Sequence, residues 1–294
     1  MPDTNQASAS AGTGHVLATI DRSVYTESVC AHAAWAASRL GAPLEFLHLP
    51  DRRQPAAPSV DWSGSIGVDA QMELLRELAE LDERRNAISQ QQGDQLLAEA
   101  AALARSRYGV EAATRQRHGS LTENIEALQA GVRLFVMGKR GEHADFDRGH
   151  LGGNLERVAR AVQRPLLVAS RSFQEITRFA VAYDGSPAAR RAVEMVAASP
   201  LLRGLPGDVV TVGDARGEGG QAWAREVLEA QGFRIDCHRL EGAREEALAT
   251  HVEQAGIRLL VMGAWGHGRV RNLFVGSTTT EVLRACRIPV LLLR

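Results

Sequence analysis

The sequence predicts an α/β protein: two tandem doubly wound parallel-sheet units of the flavodoxin/Rossmann-like kind, five strands each. Three observations carry that reading. The stretch AGVRLFVMGKRG from Ala130 returns nearly unchanged as AGIRLLVMGAWG from Ala255, 125 positions later. The repeat also extends in both directions. LGGNLERVARAVQRPLLVAS from Leu151 answers VGSTTTEVLRACRIPVLLLR from Val275, with thirteen positions from Gly152 to Pro165 and from Gly276 to Pro289. HVLATIDRSVYTESV from His15 answers RFAVAYDGSPAARRAV from Arg178, each an apolar run ending in Asp-x-Ser and then a helical pattern. Start, middle and end recur in order, so a whole domain is duplicated rather than a short solenoid repeat. Finally, strand-length apolar runs alternate with helix-period segments, the pattern of βαβ units and of a parallel sheet covered on both faces. The expected units are 14–171 and 175–294, after a disordered tail over 1–13.

The elements of the first unit follow the order of the second, with an insertion. Asp21 to Gly138 spans 117 positions where Asp184 to Gly263 spans 79, so about forty extra residues follow the second strand. The segment from Pro50 is broken by prolines and glycines and reads as loop. From Asp69, Met72, Leu75, Leu78 or Ala79, and Leu81 fall at helical spacing. A further helix, Asp94–Tyr108, follows Gly93. A single helix over the whole insertion, about 69–108, would be roughly 60 Å long at 1.5 Å per residue. That exceeds a small domain, so a bend is expected at Gly93. An amphipathic helix packed on its own unit is the expectation, and a partner-binding arm the alternative.

In the second unit, Phe179–Tyr183 is an apolar run of strand length. Ser186-Pro187 then supplies a helix N-cap with proline at the first helical position. Ala189, Val193 and Val196 continue at helical spacing until Pro200 stops the helix. Asp208–Val212 reads as a strand, Gln221–Gln231 as a helix ended by Gly232, and Phe233–Leu240 as a strand. Glu245–Gln254 is helix, Leu259–Met262 buried strand, Thr278–Cys286 helix and Val290–Leu293 the last strand.

Composition narrows the function. The chain of 294 residues has 45% hydrophobic and 23% charged residues and a net charge of -1. That balance is ordinary for a globular protein and writes in no general attraction to nucleic acid or anionic membrane. No apolar run approaches the ~20 residues of a membrane helix. Cys30, Cys237 and Cys286 are scattered and odd in number, which argues against a disulfide framework or a zinc site and fits a reducing cytoplasm. His118, His238 and His251 show no ligand spacing, so no metal is expected. Cys286 is expected to be a small buried hydrophobe.

The second copy holds the informative constellation: Gly263-Ala-Trp-Gly266, nine residues, then Gly276-Ser277-Thr278. It follows a buried strand, where open α/β sheets bind ligands at the carboxyl edge. Glycines let backbone approach a ligand closely, and successive N–H groups form an anion nest. Thr278-x-x-Glu281 looks like a capping box at a helix start, where orphan N–H groups and the dipole favour phosphate. Between Gly266 and Gly276 lie His267, Arg269 and Arg271 and no acid. His267 either meets a phosphate or stays solvated, and Trp265 is expected to pack at the loop base. No lysine closes the glycine loop, so this is not a P-loop NTPase.

G-x-x-G-x9-G-S after LLVMG, with a start like VAYDGS and an end like IPVLLL, resembles the universal stress protein family in its tandem form. The likeness covers nearly the whole chain, in two copies. It implies a flavodoxin-like parallel sheet that holds ATP, with or without Mg2+, adenosine lying over the first strands and phosphates in the glycine loop. The implied nucleotide-binding set is Ala182, Tyr183, Asp184, Val212, Met262, Gly263, Gly266, His267, Gly276, Ser277 and Thr278. In it Asp184 lies near the adenosine, Val212 meets adenine through its backbone, and Met262 and Gly263 form the floor. The resemblance also implies stress-response regulation, little or no catalysis beyond a slow ATPase, and pairing through the last strands. Here Leu166–Ala169 and Val290–Leu293 are expected to pair within one chain, covering two sheet edges, and a further homodimer is expected.

The first copy departs from that pattern. Its set would be Asp21, Gly138, Gly141, Gly152, Gly153 and Asn154, but ten residues precede Gly152, Gly153 replaces the serine, and Arg22 follows the first Asp. Glu142, Asp145 and Asp147 lie in the loop. Each carboxylate would repel a phosphate by on the order of a kcal/mol in solvent-screened surroundings, and Lys139, Arg140 and Arg148 offset that in part. The expectation is a preserved fold with a weak or altered site. Two competing readings remain. An adenylyl-transfer enzyme of related fold would carry an SGGxDS loop, which AYDGSPAAR and TIDRSVYTE lack. A scaffold acting through protein partners, without nucleotide, is the stronger alternative.

Overall fold

The computed structural model describes residues 14–50, 68–141, 153–213, 220–263 and 277–294. The tail expected over 1–13 and the loop from 51 to 67 lie outside them. The first half runs β1 (His15–Ile20), α1 (Thr26–Leu40), β2 (Leu44–His48), α2 (Val68–Tyr108), β3 (Ala112–Gln116), α3 (Leu121–Leu128), β4 (Val132–Gly138), α4 (Gly153–Ala161) and β5 (Leu166–Ala169). The second runs β6 (Phe179–Ala182), α5 (Pro187–Ala198), β7 (Pro206–Val212), α6 (Gly220–Glu229), β8 (Arg234–Leu240), α7 (Arg244–Gln254), β9 (Leu259–Gly263), α8 (Ser277–Ala285) and β10 (Val290–Leu293).

All ten strands form one sheet in the order β3-β2-β1-β4-β5-β10-β9-β6-β7-β8. Each half has the same internal order, and each adjacent pair within a half is parallel. The halves join where β5 and β10 pair antiparallel, Leu167 opposite Leu291. The expected pairing of these two last strands is therefore what the structure shows. Because that one pair is antiparallel, the strands of the two halves point in opposite directions.

The local signals explain the elements. Ser186 caps α5 by accepting from the Ala189 N–H at 3.2 Å, with Pro187 at the first helical position. Gly41 ends α1 in the left-handed region, φ 57°. Alternation along the strands gives two apolar layers. One buries β-strand residues such as Val16, Phe46, Val181 and Leu291 with α1, the end of α2, α5 and α6. The other buries Leu17, Phe135, Leu260 and Leu292 with α3, α4, α7 and α8. Both layers run unbroken across the join.

The halves also cap each other's last helices on one face. Buried Lys139, just past β4, donates to the Cys286 carbonyl at the end of α8. Arg294, after β10, donates to the carbonyls of Arg160 (3.1 Å) and Val162 (2.6 Å) at the end of α4. Cations at helix C-termini satisfy the last carbonyls and oppose the dipole. Burial pushes the Lys139 amine down to about 8.

The insertion differs from expectation. One helix of 41 residues runs through Gly93, with no break into two. The physical reason lies in packing: a Cβ at Gly93 would stand 2.4 Å from Gln116 Oε1 and 2.7 Å from His48 Cδ2. The glycine serves close approach to the sheet edge, and the helical hydrogen bonds carry on past it. Nor does the whole helix pack on its own half. Leu97, Ala100 and Ala104 are buried, but every residue from Met72 to Ile88 is exposed.

Candidate functional site

In the second half, β6 and β9 are neighbours, Ala182 opposite Met262. The chain leaves β6 for α5 on one face of the sheet and leaves β9 for α8 on the other. That divergence opens a crevice at the carboxyl edge, the usual ligand position in open α/β sheets. An open cleft of about 680 Å³, counting the solvent space at its mouth, lies there. Of the residues that the resemblance implies, Ala182, Asp184, Val212, Met262 and Gly263 line it.

Gly263 is the structural key to this cleft. A Cβ there would lie 2.5 Å from the carbonyl carbon and oxygen of Ala188 and 2.8 Å from the Ala189 nitrogen. Its absence lets the first turn of α5 press against the end of β9. The turn before that helix is fixed by Asp184, whose Oδ1 accepts from the Ser186 N–H at 3.0 Å. The α5 N-terminus, a source of partial positive charge, is thus held beside the cleft, as is the first turn of α8 through Thr279.

Of the other expected residues, Tyr183, Ser277 and Thr278 fall among the described ones. Tyr183 borders the cleft, but its ring is buried in the opposite layer, stacked on Trp223 with centroids 6.1 Å apart. It offers the cleft main chain only, because alternation points its side chain to the other face. Gly266, His267 and Gly276 lie outside the described residues, as do Trp265, Arg269 and Arg271. Ser277 and Thr278 open α8 as backbone. Sequence reasoning missed Arg244, Leu248 and Thr279, which line the cleft from α7 and α8. Thr279 was findable, one residue past the Ser-Thr pair at the helix start. Arg244 carries no motif; only the strand order brings the start of α7 here.

The first half builds the corresponding cleft, about 630 Å³, lined by Asp21, Gly138, Gly141 and Asn154 among others. The same turn recurs: Asp21 Oδ1 accepts from the Ser23 N–H at 3.0 Å. The same close approach recurs too, for a Cβ at Gly138 would sit 2.8 Å from Tyr25 Cβ. The lining differs in polarity. Leu155 stands where the second half has Thr279, so a hydroxyl is lost at the floor. Lys139, expected to face phosphate, is committed across the join to Cys286. Gly153 begins α4, and Gly152 with the acidic loop residues lies outside the described residues.

The two buried cysteines take no part. Burial pushes the Cys30 thiol up to about 12 and the Cys286 thiol up to about 11, so both are packing groups. Away from the clefts, the fold gathers two histidines that the sequence left unconnected: His238 and His251 both meet Asp208. Among the described residues, no helix is long and apolar enough to cross a membrane.

Comparison with known proteins accords with this geometry. The universal stress protein family model matches residues 12–170 and 213–294. Universal stress protein Slr1230 of Synechocystis sp. is 38% identical over 286 residues, covering 95% of this chain and 99% of that protein. A universal stress protein of Thermus aquaticus, encoded in the QAH/OAS sulfhydrylase 3' region, is 36% identical over 131 residues, 39% of this chain and 96% of its own. The crystal structure of a universal stress protein from Archaeoglobus fulgidus DSM 4304 superposes with a TM-score of 0.68 at 20% identity, over 96% of this chain and 97% of that one.

Proposed function

The chain belongs to the universal stress protein family, and from that premise we propose that it binds ATP or a related adenine nucleotide in the cleft of its second half. In this reading 14–171 and 175–294 are the two domains, and the protein is a cytoplasmic regulator of the stress response with little or no catalysis. The observation that carries it is the crevice between β6 and β9. There Gly263 admits the α5 N-terminus, and α8 begins directly after the Gly276 position. Two helix starts facing one cleft suit a polyphosphate. In this reading Val212 meets the base through its backbone, and Met262 and Gly263 form the floor beneath it. Asp184, exposed and with one oxygen already engaged by Ser186, is positioned to accept from a ribose hydroxyl. Mg2+ would reach this site with the nucleotide.

A homodimer belongs to the same reading. Leu74, Leu78, Leu81 and Ile88 on α2 are exposed and follow coiled-coil spacing, with Arg85 in the remaining seam position.

The test is to purify the chain without added nucleotide, denature it, and identify the small molecules released, with Gly276→Val alongside. About one adenine nucleotide per chain, lost in the variant, is expected. Two per chain would restore the first cleft as a full site. None, with no binding when ATP is added, would leave a scaffold acting through protein partners.

A further inference from the structure

We propose that Asp208, His238 and His251 form a binding site for a divalent transition-metal ion, best suited to Zn2+, beneath α7 and separate from the nucleotide cleft. His251 Nε2 stands 2.9 Å and His238 Nε2 3.5 Å from the same carboxylate oxygen, Asp208 Oδ2. The three donor atoms all lie within 4.8 Å of one another. A tetrahedral ion with ligand bonds near 2.1 Å needs donors about 3.4 Å apart, so small side-chain rotations suffice. Two imidazoles and one carboxylate leave a fourth position for water, and this donor set favours zinc among common intracellular cations.

Three further features fit an ion. His238 Nε2 is a buried atom with no hydrogen-bond partner among the described residues, and such orphaned groups call for an explanation. Asp208 is fully buried, so its charge must be compensated. Arg178 binds its other oxygen, Oδ1, through Nε at 3.0 Å and through Nη2 at 2.5 Å, and so leaves Oδ2 aimed at the imidazoles. That is the supporting contact that orients a metal carboxylate. Arg178 also pairs with Asp236 at 2.8 Å. Asp208 and Asp236 thus share the one Arg178 guanidinium.

The first half shows what the same place looks like without these ligands. Glu45 takes the position of Asp208, but Arg115 of β3 pairs with it at 2.5 Å, in the place of His238. Leu121 and Ile125 pack where Leu248 and Val252 do, which puts Asn124 at the position of His251. Arg115 thus takes the place of one imidazole, while His15, at the position of Arg178, brings its own Nε2 to 3.0 Å from the other Glu45 oxygen, so a single imidazole and an ion pair stand where the second half has two imidazoles. The site lies four residues before Val212 on β7, about 13 Å along the strand at 3.3 Å per residue, so the two sites do not share ligands.

The experiment titrates Zn2+ into the chelator-treated, metal-free full chain by calorimetry, and follows thermal unfolding with and without the ion. One saturable site per chain and a raised midpoint are expected. Co2+ in place of Zn2+ should give the visible absorption of a low-coordinate nitrogen–oxygen site. His238→Ala and His251→Gln should each weaken binding at least as much as the roughly 10–100-fold that loss of a supporting contact costs. Cys237→Ser, on the same strand but the opposite face, should leave it unchanged. No saturable binding to the unaltered chain would overturn the proposal, whatever the variants do. So would equal affinity in both histidine variants, which would place the ion elsewhere.

Discussion

His32 is a single buried residue with a consequence that can be measured. It is fully buried on α1, with Nδ1 2.7 Å from the Ser28 carbonyl and its ring edge-on to Phe173. Burial pushes it down to about 4 from the ordinary 6.5. The unfolded chain therefore binds the extra proton between these two values, and stability falls as pH drops from about 6.5 to about 4. At 1.36 kcal/mol per pH unit the loss is roughly 3 kcal/mol, constant below that window. Urea unfolding at pH 7 and pH 4.5 should show it, and His32→Phe should flatten the difference; equal slopes in both proteins would refute the assignment. Residues of this kind are also where sequence reading stops. Asp184, Met262 and Gly263 were legible because a motif marks them. His238 and His251 were not, because thirteen residues and a change from strand to helix separate them, and only the turn of the chain onto one sheet face unites them on Asp208.

Among the elements, α2 shows how a local signal can be right while its meaning is wrong. The helical spacing was readable from Met72 to Leu81, and the helix is there. The length of one continuous helix suggested a bend at Gly93, yet what decides that position is the space left by Gln116 and His48. Those partners come from β2 and β3, so the reason for the glycine is tertiary. Gly93→Val should therefore destabilise the protein by about 1–3 kcal/mol through overpacking, with helix content retained in circular dichroism. The exposed seam gives a separate outcome. Leu78→Lys with Leu81→Lys should leave thermal stability within about 0.5 kcal/mol, as surface changes do, and should shift light-scattering mass from dimer to monomer. A wild-type chain that is monomeric at all concentrations would remove the pairing assigned to α2.

The whole molecule is a ten-stranded sheet whose two apolar layers each cross the join between halves. Shared cores and reciprocal helix caps predict one cooperative unfolding transition, seen together by circular dichroism and tryptophan fluorescence. Two separated transitions would mean that the halves hold their cores independently. The duplication was legible because the same strand and turn words recur. The strand directions followed only from how β5 meets β10. That antiparallel pair sends the carboxyl ends of the halves to opposite edges, so the two clefts open away from each other and cannot grip one ligand between them.

Lys139 reaches the Cys286 carbonyl, yet the matching position of the second half is Ala264. In an assembly of two identical chains every substitution is made twice, and a lysine suited to one side of the join would be forced on the other. Here both sides are encoded once each. Dilution cannot part them, since each half meets the other at a fixed effective concentration. The two copies were thereby free to diverge, one keeping its serine-threonine helix start and the other giving up a cationic side chain to hold its neighbour.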